Sequence, residues 1–305
     1  MPVKLTVLGS SSALPTTERN LTAHLLTVNE RYYLIDCGEG TQLQLRKARI
    51  KFGKLSHIFI SHLHGDHFYG LIGLISTFSL LGIKNDLHVF AHSELQKLIQ
   101  PLLDNIRADI RFRIIFHPLD FKKTRTVFSD KNIEVTSFPL KHSIPVCGFI
   151  FREKQKQANL IKEKIAEYDI PVFKRNGIKN GEDYTTTDGR VIPNKLLVTP
   201  PKRPCSYGFC TDTAFFEPVA EVVKGVDLLY HEATFGNEDA DLASKTGHST
   251  ASQAATIASV AGAAKLIIGH FSSRYKDIQV LVNEARVIFP ETYSVNDGDV
   301  YHISS

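Results

Sequence analysis

Apolar residues along this chain fall into two patterns: short runs closed by turn residues, and longer stretches of helical composition. The short runs are typical of buried strands, and they read KLTVLGS, AHLLTV, RYYLIDCG, HIFIS, DLHVFA, IEVTSFPL, CGFIFRE, SYGFCTD, VDLLYHEAT and KLIIGH. Asn29–Glu30 separates the second run from the third, so the sequence predicts a strand pair around this turn.

The longer stretches predict helices, and they read TQLQLRKARIKFG, FYGLIGLISTFSLLGI, SELQKLIQPLLDNI and SKTGHSTASQAATIASVAGA. The second of them is interrupted by Ser and Thr and falls short of the ~18 apolar residues that a membrane span requires, so it predicts a buried helix. The fourth begins with a capping pattern. Because strands and helices alternate, with hairpins among them, we expect an α/β protein with mixed sheets and helices outside them.

Length, net charge and cysteine content limit the number of domains, the kinds of partner and the cellular compartment that the chain can have. With 305 residues, of which 43% are hydrophobic, the chain has ample material for one large domain or two small ones. The net charge of +4 allows a polyanionic partner without requiring one. The four cysteines form no CxxC pair, and the start MPVKLTVLGSS lacks the length and flanks of a signal peptide. We therefore expect a cytoplasmic protein in a reducing compartment, with no membrane partner.

Residues 152–204 differ in character from the rest of the chain. They carry twelve Lys or Arg against seven Asp or Glu, and the stretch RNGIKNGEDYTTTDGR is polar and rich in turn residues. Two interpretations remain open at this point. The segment is either a solvated surface insertion or a basic arm that contacts phosphates.

The stretch SHLHGDHFYG contains four closely spaced residues that can bind a metal ion. His62, His64, Asp66 and His67 lie within six positions, directly after the predicted strand HIFIS. Imidazole nitrogens and carboxylate oxygens are the ligands that zinc takes outside thiolate sites. A lone histidine is more often structural, but four ligand-type residues in one turn indicate a metal site.

Two four-coordinate ions need more ligands than this turn supplies, and three further residues each follow an apolar strand pattern. They are His142 in FPLKHSIP, Asp212 in FCTDTAF and His270 in LIIGHFSS. Each alone could be a core histidine or a capping aspartate. Together they complete two sites: His62, His64 and His142 for one Zn²⁺, Asp66, His67 and His270 for the other, with Asp212 bridging the two ions.

At this point the chain resembles a known family. HLHGDH is similar to the signature of the metallo-β-lactamase fold, an αββα sandwich with a dinuclear site at its edge. The motifs LGSSSALPTTERN, DCGEGTQLQL, SHLHGDHFYG, HEATF, GHST, GHFSSRY and DGDVYHI resemble ribonuclease Z, the tRNA 3′-processing endonuclease family, and run from about residue 5 to the C-terminus. The resemblance implies the same ligand set, and a single domain over residues 1–305 with residues 152–204 as a flexible exosite arm.

The resemblance also implies catalytic roles. Two zinc ions can lower the pKa of water and neutralise charge on a phosphodiester. Asp66 would accept the proton of the attacking water, and His248 in GHST would donate a proton to the 3′ oxygen that leaves. Glu232 in HEATF would orient His248. Read without the family, His248 is a loop residue near a helix cap and Glu232 a surface carboxylate.

For the substrate, the resemblance implies precursor tRNA, a cut that leaves a 3′-hydroxyl on the tRNA and a 5′-phosphate on the trailer, and a homodimer. Lys174, Arg175 and Lys179 in the altered tip of the arm are our candidates for phosphate contacts. An alternative enzyme is a dinuclear zinc phosphodiesterase that hydrolyses small phosphodiesters and has no need of a basic arm. A third possibility, an RNA-binding scaffold with a structural metal site, is disfavoured because structural zinc sites are commonly thiolate-rich.

Overall fold

The computed structural model describes residues 3–106 and 110–304, with no description of the Ile106 side chain. The chain divides into two compact units. One unit consists of the residues up to Arg152 together with Cys205–Ser304, and the other is Glu153–Pro204. The second unit begins within one residue of the predicted basic arm and ends at the same residue.

Two seven-stranded mixed sheets form the larger unit. The first sheet has the strand order β18-β1-β2-β3-β4-β5-β6, with bounds β1 Val3–Gly9, β2 Ala23–Val28, β3 Arg31–Ile35, β4 Leu55–Phe59, β5 Leu87–Ala91, β6 Ile114–Pro118 and β18 Val300–Ile303. The second has the order β17-β16-β15-β14-β9-β8-β7, with bounds β7 Arg125–Ser129, β8 Ile133–Pro139, β9 Cys147–Glu153, β14 Ser206–Cys210, β15 Leu228–Glu232, β16 Leu266–Gly269 and β17 Thr292–Ser294.

Three apolar layers hold this unit together. The middle layer joins the facing sides of the two sheets, with side chains such as Phe59 and Phe149. On the outer side of the first sheet, Leu74 and its neighbours pack under helices α1 Thr41–Lys47, α3 Gly70–Leu80 and α4 Glu94–Ile106. The outer side of the second sheet is covered by α7 Pro218–Val222, α9 Ala251–Ala261 and α10 Gln279–Ile288. This αββα sandwich confirms the predicted α/β fold class. Two short helices, α2 Gly65–Phe68 and α8 Ala240–Thr246, also belong to this unit.

All ten strands that the apolar runs predicted are present. Asn29 and Glu30 have φ values of 47° and 65°, and the strands on either side of them pair antiparallel, as expected for the predicted turn. The predicted buried helix is α3. The helix predicted for TQLQLRKARIKFG is shorter than expected, because it ends at Lys47 and Arg49 has a left-handed φ of 55°. All four cysteines, Cys37, Cys147, Cys205 and Cys210, are buried.

The smaller unit has a hydrophobic core of its own, built around Ile178, Tyr184 and Leu197. Its elements are β10 Asn159–Leu160, α5 Lys162–Glu167, α6 Arg175–Lys179, β11 Tyr184–Thr185, β12 Val191–Ile192 and β13 Val198–Thr199. Residues 153–204 are therefore folded around apolar side chains, which the polar composition concealed. Across the described parts of the chain, no helix combines the length and apolar character needed to cross a membrane.

Candidate metal centre and its supporting residues

Strand ends bring the predicted ligands to one edge of the sandwich. His62 lies beyond the end of β4, Asp212 follows β14 and His270 follows β16. β4 lies within the parallel part of the first sheet and β14 and β16 within that of the second. Carboxyl ends of parallel strands meet at a common edge, so polar side chains placed there converge.

The first group of possible ligands is His62, His64, His142 and Asp212, whose ligand atoms all lie within 4.8 Å of one another. His64 Nδ1 is 3.2 Å from His62 Nε2 and 3.3 Å from His142 Nε2. His62 Nε2 and His142 Nε2 in turn lie 3.6 and 3.8 Å from Asp212 Oδ2. Three nitrogens and one oxygen therefore face one point, as a tetrahedral site requires.

The second group is Asp66, His67, Asp212 and His270, again within 4.8 Å. Asp66 Oδ2 is 3.2 Å from His67 Nε2 and 3.5 Å from His270 Nε2. Asp212 Oδ1 lies 3.4 Å from His67 Nε2 and 3.1 Å from His270 Nε2. The structure thus brings together all seven residues that the sequence nominated as ligands.

Asp212 belongs to both groups because its two oxygens face in different directions. Oδ2 faces His62 and His142, while Oδ1 faces His67 and His270. Burial raises the pKa of this carboxyl, but the charges of His270, His67 and His62 outweigh burial and hold the pKa well below its ordinary value. Asp212 is therefore an ionised carboxylate at the centre of the site.

Asp36 and Ser61 fix the orientation of two of the histidines. Asp36 Oδ2 accepts hydrogen bonds from His67 Nδ1 at 2.7 Å and from the Ser61 hydroxyl at 2.8 Å. Because Ser61 has given its single proton to Asp36, its oxygen accepts from His62 Nδ1, 3.0 Å away. Both imidazoles therefore carry their proton on Nδ1, and Nε2 is left for a metal ion.

Gly247 and Thr234 fix the orientation of two further histidines, His142 and His270, by accepting a hydrogen bond from Nδ1 of each ring. His142 Nδ1 donates to the Gly247 carbonyl oxygen at 2.7 Å. The Thr234 hydroxyl donates to Glu232 Oε2 at 2.7 Å, so its oxygen accepts from His270 Nδ1 at 2.9 Å. Four histidines thus have one ring nitrogen held by an acceptor and the other directed at the site.

The residues fit a pair of metal ions. His67 Nε2 and His270 Nε2 are buried and have no hydrogen-bond partner within residues 3–106 and 110–304. Burial lowers the pKa of His67, but Asp66, Asp212 and Asp36 outweigh it and raise that pKa well above its ordinary value. A metal ion would supply the partner that these two Nε2 atoms lack. On binding, it would displace the proton that the three carboxylates stabilise on His67.

Glu232 and His248 form a pair beside the ligands. Glu232, at the end of β15, is fully buried, and its Oε1 accepts from His248 Nδ1 at 2.9 Å. Burial lowers the pKa of His248, but Glu232 outweighs it and raises the pKa to about 9. Glu232, His248 and His270 also lie close enough together to hold an ion. His231 next to Glu232 is buried, and its Nδ1 bonds the Glu232 carbonyl oxygen.

The loop that carries His248 corrects one prediction. The sequence predicted a single helix from Ser244, but α8 ends at Thr246 and α9 begins at Ala251. Gly247 breaks the helix with a left-handed φ of 74°, and Thr250 with Gln253 forms a capping box at the new start. A Cβ at position 247 would also meet His142 Nδ1 at 2.9 Å. This break places His248 beside Glu232.

Sequence reasoning missed the residues that hold the ligands. Asp36, Ser61 and Thr234 received no role, although Asp36 follows the strand run RYYLI in the same way that Asp212 follows SYGFC. An acidic residue at a strand end was therefore an available signal for Asp36. No comparable signal exists for Thr234, whose role depends on which side chains the fold brings within 3 Å of its hydroxyl.

A cavity of about 680 Å³ opens above these residues. Its walls include His64, Asp66, His142, Asp212, His248 and His270, with Tyr69 and Phe235 as the larger aromatic side chains. A cavity of this size admits a nucleotide-sized group to the candidate metal centre.

Comparison with known proteins identifies the family. The chain is 47% identical over 289 residues to ribonuclease Z of Bacteroides fragilis strain YCH46, covering 95% of each protein. The chain belongs to the ribonuclease Z family. The family model described as anti-Pycsar protein Apyc1 also matches residues 3–159, about half of the chain, and this part belongs to that family too. The ribonuclease Z match additionally spans most of the second half, where Asp212, Glu232, His248 and His270 lie.

Solved structures agree with this assignment. The crystal structure of human tRNase Z, short form, is similar with a TM-score of 0.72 and 26% identity, covering 99% of this chain and 100% of that one. YhfI from Bacillus subtilis, a metallo-β-lactamase fold protein, has a TM-score of 0.69 at 17% identity and covers 99% of both chains. The metallo-β-lactamase fold expected from HLHGDH is confirmed.

The orientation of His270 by the Thr234 hydroxyl can be tested by mutation. Thr234→Val removes the hydroxyl with little change in volume, so His270 loses the acceptor that orients it. We expect zinc affinity at the group that contains His270 to fall about 10-fold to 100-fold. Titration of metal-free protein with zinc against a competing chelator measures this.

Thr234→Ser keeps the hydroxyl and should restore most of the affinity. Thr256→Val is the matched control, because that hydroxyl donates to the Ser252 carbonyl oxygen within α9, away from the proposed ligands. Wild-type zinc affinity in Thr234→Val would show that Thr234 does not orient His270.

Proposed function

We propose that this protein is a zinc-dependent endoribonuclease that removes the 3′ trailer from precursor tRNA. The cut leaves a 3′-hydroxyl on the tRNA and a 5′-phosphate on the trailer. The observation that carries the proposal is the complete ligand set at the sheet edge in a chain 47% identical to a ribonuclease Z over 95% of its length. The cytoplasmic location expected from the sequence belongs to the same proposal.

Two zinc ions per chain are the cofactors we propose. His62, His64 and His142 would hold one ion, Asp66, His67 and His270 the other, and Asp212 both, because its two oxygens face the two groups separately. When bound, the ions would supply an activated water and neutralise negative charge on the phosphodiester. The seven side chains are already directed at the site, so little reorganisation accompanies binding.

Two residues of the chain would transfer protons, and a third would orient one of them. We assign Asp66 to accept the proton of the attacking water. The His248 Nδ1–Glu232 contact of 2.9 Å leaves the other ring nitrogen to donate to the departing 3′ oxygen. Glu232 is held in turn by the backbone N–H groups of Thr213, Thr234 and Ser249, at 2.9 to 3.0 Å. A carboxylate fixed by three amides keeps His248 in one orientation.

The basic arm is proposed as the contact with tRNA outside the active site. Lys174 is exposed in the turn Val172–Lys174, while Arg175 and Lys179 are half-buried in α6. Arg175 Nε also donates to the Ile170 carbonyl oxygen at 3.2 Å, so only part of its guanidinium is free for phosphate. Lys174 is therefore the strongest of the three candidates.

We also propose that the enzyme is a homodimer, as members of the family commonly are. The helices over the first sheet carry exposed leucines, among them Leu43, Leu80 and Leu98 with 58%, 88% and 55% exposure. Exposed apolar side chains on neighbouring helices favour a surface that a second copy covers.

The reaction itself is tested with a precursor tRNA labelled in its 3′ trailer. We expect one cut at the trailer junction, a 3′-hydroxyl on the tRNA, and loss of the cut when a chelator removes the metal. Sizing and end-group analysis of both fragments measure this. His248→Ala should keep its zinc, because His248 is outside the proposed ligand set, and yet cleave much more slowly. Hydrolysis of bis-p-nitrophenyl phosphate without any cut in tRNA would instead support the small-phosphodiester enzyme.

The proposed role of the arm in binding tRNA can be tested by removing it. Arg152 pairs with Ser206 in the antiparallel β9–β14 ladder, so a short hairpin turn can replace Glu153–Pro204. We expect this variant to hydrolyse bis-p-nitrophenyl phosphate at close to the wild-type rate and to lose cleavage of precursor tRNA. Parallel assays on the two substrates measure the difference, and undiminished tRNA cleavage would contradict the role of the arm.

A further inference from the structure

Tyr69 is an exposed aromatic ring on the wall of the catalytic cavity. It joins α2 to α3, two residues after His67 of the HGDH turn, and 66% of its surface is exposed. Its neighbours Asp66, His67 and Phe68 are all buried. Phe235, another aromatic side chain of the cavity wall, is 5% exposed and covered by the Arg274 guanidinium at 5.4 Å. Of these two rings, Tyr69 is the one that is exposed to solvent.

The backbone of the metal-binding turn supports this ring. A Cβ added to Gly65 would meet Tyr69 Cε2 at 2.2 Å and Cδ2 at 2.6 Å. Gly65 starts α2 and has no positive φ, so its backbone conformation does not favour glycine, but a larger residue there would require the Tyr69 ring to shift. Gly65 therefore leaves room for the Tyr69 ring to lie against this turn.

Phe68 supports the ring from a second side. The rings of Phe68 and Tyr69 lie 4.8 Å apart at an angle of 69°, an edge-to-face contact. Within the described ranges, the Tyr69 hydroxyl makes no hydrogen bond. The ring is therefore held by its packing and not by its hydroxyl, and it is both exposed and part of the cavity wall.

We propose that Tyr69 is a stacking platform for the base of a nucleotide that flanks the scissile phosphodiester. The inference rests on the proposed function, since an RNA substrate is what brings a base to this wall. Aromatic rings bind bases of single-stranded RNA by stacking. This contact tolerates any sequence, because all four bases have a flat aromatic face. A base held on Tyr69, next to His64 and Asp66, would fix the adjoining phosphate over the metal ligands. Tyr69 is then a positioning and binding residue for the reaction.

The test compares Tyr69→Ala with Tyr69→Phe in cleavage of precursor tRNA. A stacked base accounts for about 5-fold to 150-fold in affinity, so Tyr69→Ala should lower kcat/KM by a factor in that range. Tyr69→Phe keeps the ring and should stay within about 2-fold of wild type. Tyr293→Ala, which removes an exposed ring on β17, is the matched control and should change nothing. Zinc content and the thermal midpoint show whether each variant is folded and loaded.

A direct readout uses 2-aminopurine, a fluorescent base that stacking quenches, at the last tRNA nucleotide or the first trailer nucleotide. The protein is His248→Ala, which slows turnover, with and without Tyr69→Ala. Quenching at one of the two positions that depends on the Tyr69 ring supports the proposal. Equal fluorescence at both positions with and without the ring overturns it, as does equal loss of kcat/KM in Tyr69→Phe and Tyr69→Ala. Failure of the wild type to cleave tRNA would instead overturn the proposed function.

Discussion

The arrangement of the whole site depends on one buried carboxylate, Asp212, which faces two groups of histidines with its two oxygens. An isolated buried charge costs several kcal/mol, so Asp212 is tolerated only because cationic or metal-binding groups surround it. His62 and His142 lie on one side, and His67 and His270 on the other. These four histidines come from both sheets, so the sandwich must close correctly for the carboxylate to be satisfied.

A layer of acceptors around the ligands decides which nitrogen each histidine offers. Ser61 and Thr234 act by the same logic: each hydroxyl gives its one proton to a carboxylate, and its oxygen is then free to accept from a histidine Nδ1. Thr234 also connects the two functions of the site, because the carboxylate it donates to is Glu232, the partner of His248. Orientation of the metal ligands and orientation of the proposed proton donor are therefore linked through one side chain.

Much of this architecture could be predicted from the sequence, for physical reasons. Runs such as HIFIS and KLIIGH signal buried strands, and chemistry-bearing residues directly after such runs must meet at a sheet edge. That rule brought His142, Asp212 and His270 together with the HLHGDH turn. Fold class and family followed from motifs spread along the chain. The individual roles of the ligands and of His248 stay predictions until metal and activity are measured.

What the sequence concealed depends on contacts between distant segments. The break at Gly247 has local signals, the glycine itself and the Thr250–Gln253 capping box, but its consequence, His248 beside Glu232, depends on the distant strand β15. The small core around Tyr184 and Leu197 is hidden because its strands are two residues long and lie between polar turns. The glycine of HGDH reads as a simple turn residue until the ring of Tyr69 is placed against it.

The most direct test of this account is the number of zinc ions that one chain binds, measured by native mass spectrometry of metal-free protein titrated with zinc. The account predicts two ions per chain in the wild type, and loss of tight binding of at least one ion in Asp212→Ala, because both groups share that carboxylate. Saturation at a single ion, or two ions bound with wild-type affinity in Asp212→Ala, would contradict the bridged pair on which the site is built.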